Sequence, residues 1–468
     1  MPQAELADRT ATELLAGYRT GELSPVEVTE AVLARIAAWE PTVNALSAHR
    51  PDVAREAARA AERRWRAGGP LGPLDGVPVT IKENIAIRGN PTPLGTAALE
   101  QVPAAADAPA AARLFEAGAV LVGSTTMPDY GMLTSGLSSL RGVTRNPWDP
   151  ARNPGGSSAG AGAAAAAGYG PLHLGTDIGG SVRLPAGWCG VVGFKPSFGR
   201  IPVDPPYPGR TIGPLTRTVA DAALVTSVLA APDRRDHLSL PPATLGWTEL
   251  AGEVTGLRIG LLLDAGAGIP VDPEITDAVT AAGAALQAAG AYVETAGPLV
   301  SRHMLDGLDR FWRMRFWLEI SALPRERGAK MLPFIAAWAA GGEGLSGAEV
   351  FDGYSQMDAM AKAAVAALEP YDFLISPLAP IHPMEAELAS PLDDPARPFE
   401  HICFTVPFNM SGQPALALRC GTSADSLPIG LQIVGQRFDD IGVLALGAQY
   451  ERLRPAPPPW PSAPLVGQ

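Results

Sequence analysis

Between residues 153 and 183 two glycine-shaped serine loops flank a run of alanines, and this stretch constrains the fold more than any other. Asn153-Pro154-Gly155-Gly156-Ser157-Ser158 has turn chemistry, and so does the whole stretch from Thr134, with Arg145-Asn146-Pro147-Trp148-Asp149-Pro150 inside it. Ser158 to about Ala167 reads as a helix with so little side-chain bulk that it can lie close to neighbouring backbone. Leu172 to Thr176 reads as a short strand, followed by Asp177-Ile178-Gly179-Gly180-Ser181. Glycines ahead of a serine let consecutive backbone N–H groups converge on one point, as an oxyanion site requires.

Around this stretch the pattern is that of alternating strands and helices. Ser24-Pro25-Val26-Glu27 is a strong helix start, with a cap serine, proline at the first helical position and glutamate three residues on. Val28, Ala31, Val32 and Ile36 supply its apolar stripe, and a second helix spans roughly Asp52 to Ala67. Gly76 to Ile81 reads as a buried strand with Lys82 at its exit, followed by a helix over Asp107 to Ala117 and a strand over Ala119 to Gly123. Thr218 opens a helix to about Leu229, and Ala231 to Val254 is a long Pro/Gly-punctuated connection. Leu257 to Leu263 resumes the sheet before a helix over Asp272 to Ala289. Ser301 to Leu368 is largely helical, and core packing is expected for most of its aromatics (Phe311, Trp312, Phe316, Trp317, Phe334, Trp338), with a substrate-channel wall for the others. Short strands return at Phe373–Ser376, Ala415–Leu418 and Leu431–Gly435, before a last helix over Asp440 to Leu453 and a rigid Pro455 to Trp460 tail. No internal repeat is present.

Composition excludes several classes. With 47% hydrophobic and 18% charged residues the chain is far from the disordered regime, and 51 Gly with 47 Pro imply many tight turns. A formal net charge of -12 argues against a general phosphate-binding surface, so no nucleic-acid partner is expected. Cys189, Cys403 and Cys420 have neither disulfide-framework nor metal-ligand spacing and read as buried free thiols. Met1 to Thr10 lacks the apolar core of a secretory signal, and no stretch approaches 18 consecutive apolar residues. The expectation is a cytoplasmic enzyme without a membrane partner.

Singly, the chemistry-bearing residues have ordinary explanations. A lysine at a strand end is most often a surface or ion-pair group, Ser157-Ser158 reads as a helix cap, and a Gly-Gly-Ser turn is weak evidence. A phosphate loop is excluded by the absence of G-x-x-x-x-G-K-[ST] and G-x-G-x-x-G.

Together they are specific. Asn153-Pro154-Gly155-Gly156-Ser157-Ser158-Ala159-Gly160, then Gly175-Thr176-Asp177-Ile178-Gly179-Gly180-Ser181-Val182-Arg183, resembles the amidase signature family, and Lys82, 75 residues before Ser157, sits in Val79-Thr80-Ile81-Lys82-Glu83-Asn84 as in that family's lysine motif. Gly193-Phe194-Lys195-Pro196-Ser197, Gly213-Pro214-Leu215-Thr216-Arg217 and Pro428-Ile429-Gly430-Leu431-Gln432 match as well. Asp129-Tyr130 and Ala159 depart mildly from the usual pattern.

The resemblance implies an α/β fold with a central mixed twisted β-sheet covered by helices on both faces. It implies one domain over 1–468, with an N-terminal helical segment at 1–68 and a helical substrate-side insertion at about 301–368. Ser181 becomes the nucleophile, Ser157 (after a cis bond from Gly156) the relay, and Lys82 the base. The N–H groups of Ile178, Gly179, Gly180 and Ser181 would hold the oxyanion, with Gly156, Ser158, Asp177 and Arg183 as supports. No metal or other cofactor is implied, and a homodimer is the implied assembly.

The signature leaves the acyl group open. Met127, Asp129, Tyr130, Met132, Leu133 and Phe408 are the expected pocket residues, and their apolar majority favours an uncharged alkyl or aryl amide. A carbamate, urea or hydrazide presents the same carbonyl on nitrogen. A glutaminase subunit of a tRNA-dependent amidotransferase would need partner chains and a fixed guanidinium, for which Arg313 or Arg315 is available. A catalytically dead binding protein would not be expected to keep all three groups.

Overall fold

The computed structural model describes residues 3–463. Of the opening segment, Met1 and Pro2 lie outside the described residues, and Gln3–Ala7 is a short helix. Ser24 caps helix α1 (Pro25–Val43) by accepting from the Val26 N–H, and Val28, Ala31, Val32 and Ile36 are all buried.

Eleven strands form one mixed sheet. They are β1 (Leu46–Ala48), β2 (Pro78–Lys82), β3 (Val120–Thr125) and β4 (Leu172–Asp177), then β5 (Val192–Lys195) and β6 (Thr211–Thr216). The second half holds β7 (Arg258–Leu261), β8 (Tyr292–Thr295), β9 (Phe373–Pro377), β10 (Ala415–Thr422) and β11 (Pro428–Gly435). Their order across the sheet is β1-β3-β2-β4-β6-β5-β10-β11-β9-β7-β8. Every residue of β2, β4, β6 and β11 is buried, as expected of strands covered on both faces. At the two edges burial lapses: β1 is half-buried throughout and Tyr292 on β8 is exposed.

Two structural pairings position the chemistry. β2 runs parallel to β4, with Ile81 opposite Leu174, so Lys82 and Asp177 leave the sheet at the same edge. Helix α2 (Ala159–Ala167), which starts beside Ser157, packs against β4 and against helix α3 (Arg183–Cys189), which starts beside Ser181. All nine residues of α2 are buried. A β-carbon added at Gly160 would collide with the Ala45 carbonyl oxygen and the Thr126 N–H, so the helix can approach only because it lacks bulk.

Four strands are not evident from the sequence: β1, β5, β6 and β8. In β6, Gly213 and Pro214 are residues that weigh against a strand. Pro214 nevertheless pairs with Leu174 on one side, while the ladder with β5 ends at Leu215 and asks nothing of it on the other. Helix α3 was hidden by Pro185 and Gly187.

Beyond β8 the chain forms helix α4 (Arg302–Ser321) and, after two short helical turns, helix α5 (Gly347–Leu368), which pack on each other. Trp312, Phe316 and Trp338 are buried in the main core. Cys189, Cys403 and Cys420 are buried free thiols. Among the described residues no helix is long and apolar enough to cross a membrane.

Substituting Gly160→Ala should destabilise the protein by about 1–3 kcal/mol, the usual cost of overpacking a core. Urea unfolding reads this directly, and an unchanged midpoint would mean that α2 has room to move away from β3.

Candidate active site

Lys82 ends β2 fully buried, and its ammonium nitrogen meets three hydroxyls. Nζ lies 2.8 Å from Ser157 Oγ, 3.1 Å from Ser158 Oγ and 3.1 Å from Thr176 Oγ1. Two of these acceptors are held by further bonds. Ser158 Oγ donates to the Thr176 carbonyl and accepts from the Thr176 N–H, at 3.2 and 3.3 Å. Thr176 Oγ1 also accepts from Asn84 Nδ2 at 3.0 Å. Among the described residues, Ser157 Oγ has no hydrogen-bond partner other than Lys82.

Burial is the main cause that pushes Lys82 down to about 7, from an ordinary value of 10.5. The Asp177 carboxylate opposes the shift, Arg210 assists it, and Glu83 opposes it.

The bond between Gly156 and Ser157 is cis. Gly156 lies so near another loop that a β-carbon would sit 2.6 Å from the Ser135 nitrogen and 2.7 Å from the Leu133 oxygen. The two serine loops are joined directly, since the Ser158 N–H donates to the Ser181 carbonyl at 3.1 Å. No hydrogen bond joins Ser157 Oγ to Ser181 Oγ.

Behind Ser181 lies a fully buried ion pair. Arg183 Nε and Nη2 each donate to an Asp177 carboxylate oxygen at 3.0 Å. The same guanidinium donates to the Thr405 carbonyl at 3.0 Å, to Gln432 Oε1 at 2.6 Å and to Asn409 Oδ1 at 2.6 Å. Asp177 also accepts from Asn409 Nδ2 and from the N–H groups of Gly180 and Val182, at 2.8, 2.8 and 3.1 Å. Burial alone would raise its pKa, but Arg183 and Asn409 hold the carboxyl well below the usual range.

That network corrects the expected oxyanion set. The Gly180 N–H is committed to Asp177. Gly180 also has a φ of +123°, and a β-carbon there would meet Thr405 Oγ1 at 2.5 Å. Its glycine is needed for the shape of the turn. Among the described residues, the N–H groups of Ile178, Gly179 and Ser181 have no acceptor.

Ser181 opens into a cleft with Ile178 and Gly179 on one side and Met132, Leu133 and Thr134 on another. Trp312, Arg315, Phe399 and Ile402 close it. Met132 and Leu133, two of the expected pocket residues, line this cleft, whereas the other four do not. Met127 is buried behind Gly131. The Asp129 carboxylate accepts from the Ser139 N–H, Ser139 Oγ and the Leu332 N–H at 2.8, 2.8 and 3.0 Å, which makes it a brace between loops. The Tyr130 ring packs edge-on against Phe316 at 5.7 Å, and Phe408 is wholly inside the core.

Thr176, Asn84, Thr405, Asn409 and Gln432 were missed as functional residues. The first two flank predicted catalytic positions by one or two residues, which was an available signal. The last three come from segments more than 200 residues away, and only the fold brings them to Arg183 and Gly179.

The family model for Amidase matches residues 27–444. A glutamyl-tRNA(Gln) amidotransferase subunit from Chloroflexus aurantiacus is 35% identical, covering 96% of this chain and 97% of that protein. An acylamidase of Rhodococcus erythropolis is also 35% identical, over 100% of both chains. Among solved structures, a bacterial aryl acylamidase of the amidase signature family superposes with a TM-score of 0.88 at 32% identity, covering 95% of this chain and 96% of that one.

Removing one partner of a buried ion pair leaves the other uncompensated, so Asp177→Asn should cost about 3–5 kcal/mol. Chemical denaturation against the unmodified protein measures it; a loss well below that would show that Asn409 and Gln432 suffice to hold Arg183.

Proposed function

The chain belongs to the amidase signature family of amide-hydrolysing enzymes, and we propose that Ser181 is its nucleophile, Ser157 its proton relay and Lys82 its base. The observation that carries this reading is a buried lysine near neutrality, bonded to Ser157 on one side and to two held hydroxyls on the other. A neutral amine has two N–H donors and one lone pair. Ser158 and Thr176 take the two donors, and the lone pair is left for the Ser157 O–H.

From this the reaction follows. Ser157 passes its proton to Lys82 as it takes the proton of Ser181, and Ser181 Oγ attacks the carbonyl carbon. The hydroxyl contact between the serines closes as substrate binds, as such contacts commonly do. The carbonyl oxygen gains negative charge against the free N–H groups of Ile178, Gly179 and Ser181. The proton returns through Ser157 to the leaving nitrogen, the C–N bond breaks, and an acyl-enzyme remains on Ser181. Water, deprotonated along the same route, releases the acid.

The cleft walls support an uncharged alkyl or aryl group next to the scissile amide. Met132, Leu133, Trp312, Phe399 and Ile402 offer it apolar and aromatic surface. The purified chain is to be assayed alone against glutamine, aliphatic amides, anilides and aryl carbamates, with Ser181→Ala as the blank. Turnover of amides by the single chain supports the reading, and turnover of glutamine only with added partner chains would replace it by a role in transamidation.

Because only neutral Lys82 accepts a proton, kcat/KM should rise as pH increases through about 7 and then level off. Ser181→Ala should remove activity at every pH. A profile flat from pH 5 to 9 in the unmodified enzyme, outside any limit set by substrate, would overturn Lys82 as the base.

A further inference from the structure

The cleft contains one charged side chain, Arg315, and its situation differs from that of its neighbours. Helix α4 carries four arginines. Arg302 donates to both Glu400 oxygens at 2.8 Å, and Arg310 to Asp352 at 2.6 Å. Arg313 donates to Asp309 and to the Pro395 carbonyl at 2.6 Å, and to the Trp338 carbonyl at 3.0 Å. Each of the three is occupied in holding the fold. Arg315 makes no hydrogen bond among the described residues, and its nearest anion, Glu319, stands 3.5 Å from Nε.

Stacking holds Arg315 instead. Its guanidinium carbon lies 3.9 Å from the centre of the Tyr207 ring, and that of Arg210 lies 5.6 Å from the same ring. A guanidinium stacked by its face keeps its in-plane N–H edge free, the edge that fits a carboxylate with two parallel bonds. Arg210 and Arg315 both act on the single Glu319 carboxylate, so Arg315 shares its counter-ion with a second guanidinium. The side chain is also reachable, at 25% exposure.

We infer that the substrate is an amide that also carries a carboxylate, which Arg315 binds while the apolar part of the molecule rests against Met132, Trp312 and Ile402. The inference rests on the reading of Ser181 as nucleophile. It adds a second recognition element, fixed in position relative to the scissile bond, and so selects for the length of the spacer between the amide and the acid. Glu319 acts as a partial counter-ion that the carboxylate displaces or shares.

Matched pairs of substrates test this. On the acyl side, the mono-para-nitroanilides of succinic, glutaric and adipic acid are compared with the nitroanilides of the corresponding monoacids. On the amine side, para-acetamidobenzoate is compared with acetanilide. At least one acid should exceed its neutral partner about tenfold in kcat/KM, chiefly through KM, the size expected of a charge-assisted pair. Arg315→Ala should abolish that ratio, Arg315→Lys should restore part of it, and added salt should reduce it. Glu319→Gln, which leaves Arg315 in place, should raise the ratio, so the inference does not depend on one variant folding. Neutral partners preferred throughout, or a ratio indifferent to both Arg315→Ala and Glu319→Gln, would overturn the carboxylate site while leaving Ser181-dependent hydrolysis intact. Undiminished hydrolysis in Ser181→Ala would instead remove the nucleophile reading on which it rests.

Discussion

The Arg183–Asp177 pair is the interaction on which the site depends. Both groups are fully buried, and a charge so placed is tolerable only when its donors and acceptors are satisfied. Arg183 reaches Asp177, Thr405, Asn409 and Gln432, so one guanidinium joins the end of β4, the segment after Cys403 and strand β11. The Ser181 loop is thereby held from behind by charge, and from the side by the bond between the Ser158 N–H and the Ser181 carbonyl. Three backbone donors remain outward because the fourth is spent on the carboxylate.

The same carboxylate acts on Lys82 at a distance, favouring the ammonium form that burial opposes. The lysine's position near neutrality is a balance of these effects, with Arg210 adding to burial. In the proposed relay, full desolvation without Asp177 would make the amine a weaker base, and exposure would leave it protonated. A base of intermediate strength needs both a dry site and a nearby anion.

Most of the sheet was legible in the sequence because β2, β9 and β11 are largely apolar and β4 opens on Leu172 and Leu174 ahead of its glycine-rich loop. Of the strands that were not legible, β5 and β6 carry Gly193, Gly213 and Pro214, residues that weigh against a strand locally, and β1 and β8 are only three and four residues long. At the site, Lys82, Ser157 and Ser158 come together as expected, because their motifs lie on neighbouring elements. Ser181 opens into the cleft beside them. The pocket was only partly legible. A short stretch after β3 offers side chains to opposite sides, so Met132 and Leu133 face the cleft while Asp129 and Tyr130 turn to bracing and packing. Phe408 looked like a lining residue by its segment, but that segment serves Arg183 through Thr405 and Asn409. The distinction between Arg313 and Arg315 is a matter of two residues on a helix, about 200° of rotation, which puts one in the fold and the other in the cleft.

The exclusion of side chains at Gly156 and Gly160 has a bearing on how such an enzyme can diversify. Around the Ser157 loop and at the start of helix α2, backbone is pressed on backbone, and even a methyl group finds no space. The cleft itself is closed by large side chains of helix α4 and of the loop carrying Phe399 and Ile402. Room for a different side chain therefore lies at the partly exposed Arg315 of α4, whereas Trp312 and Phe316 of the same helix are tied into the core.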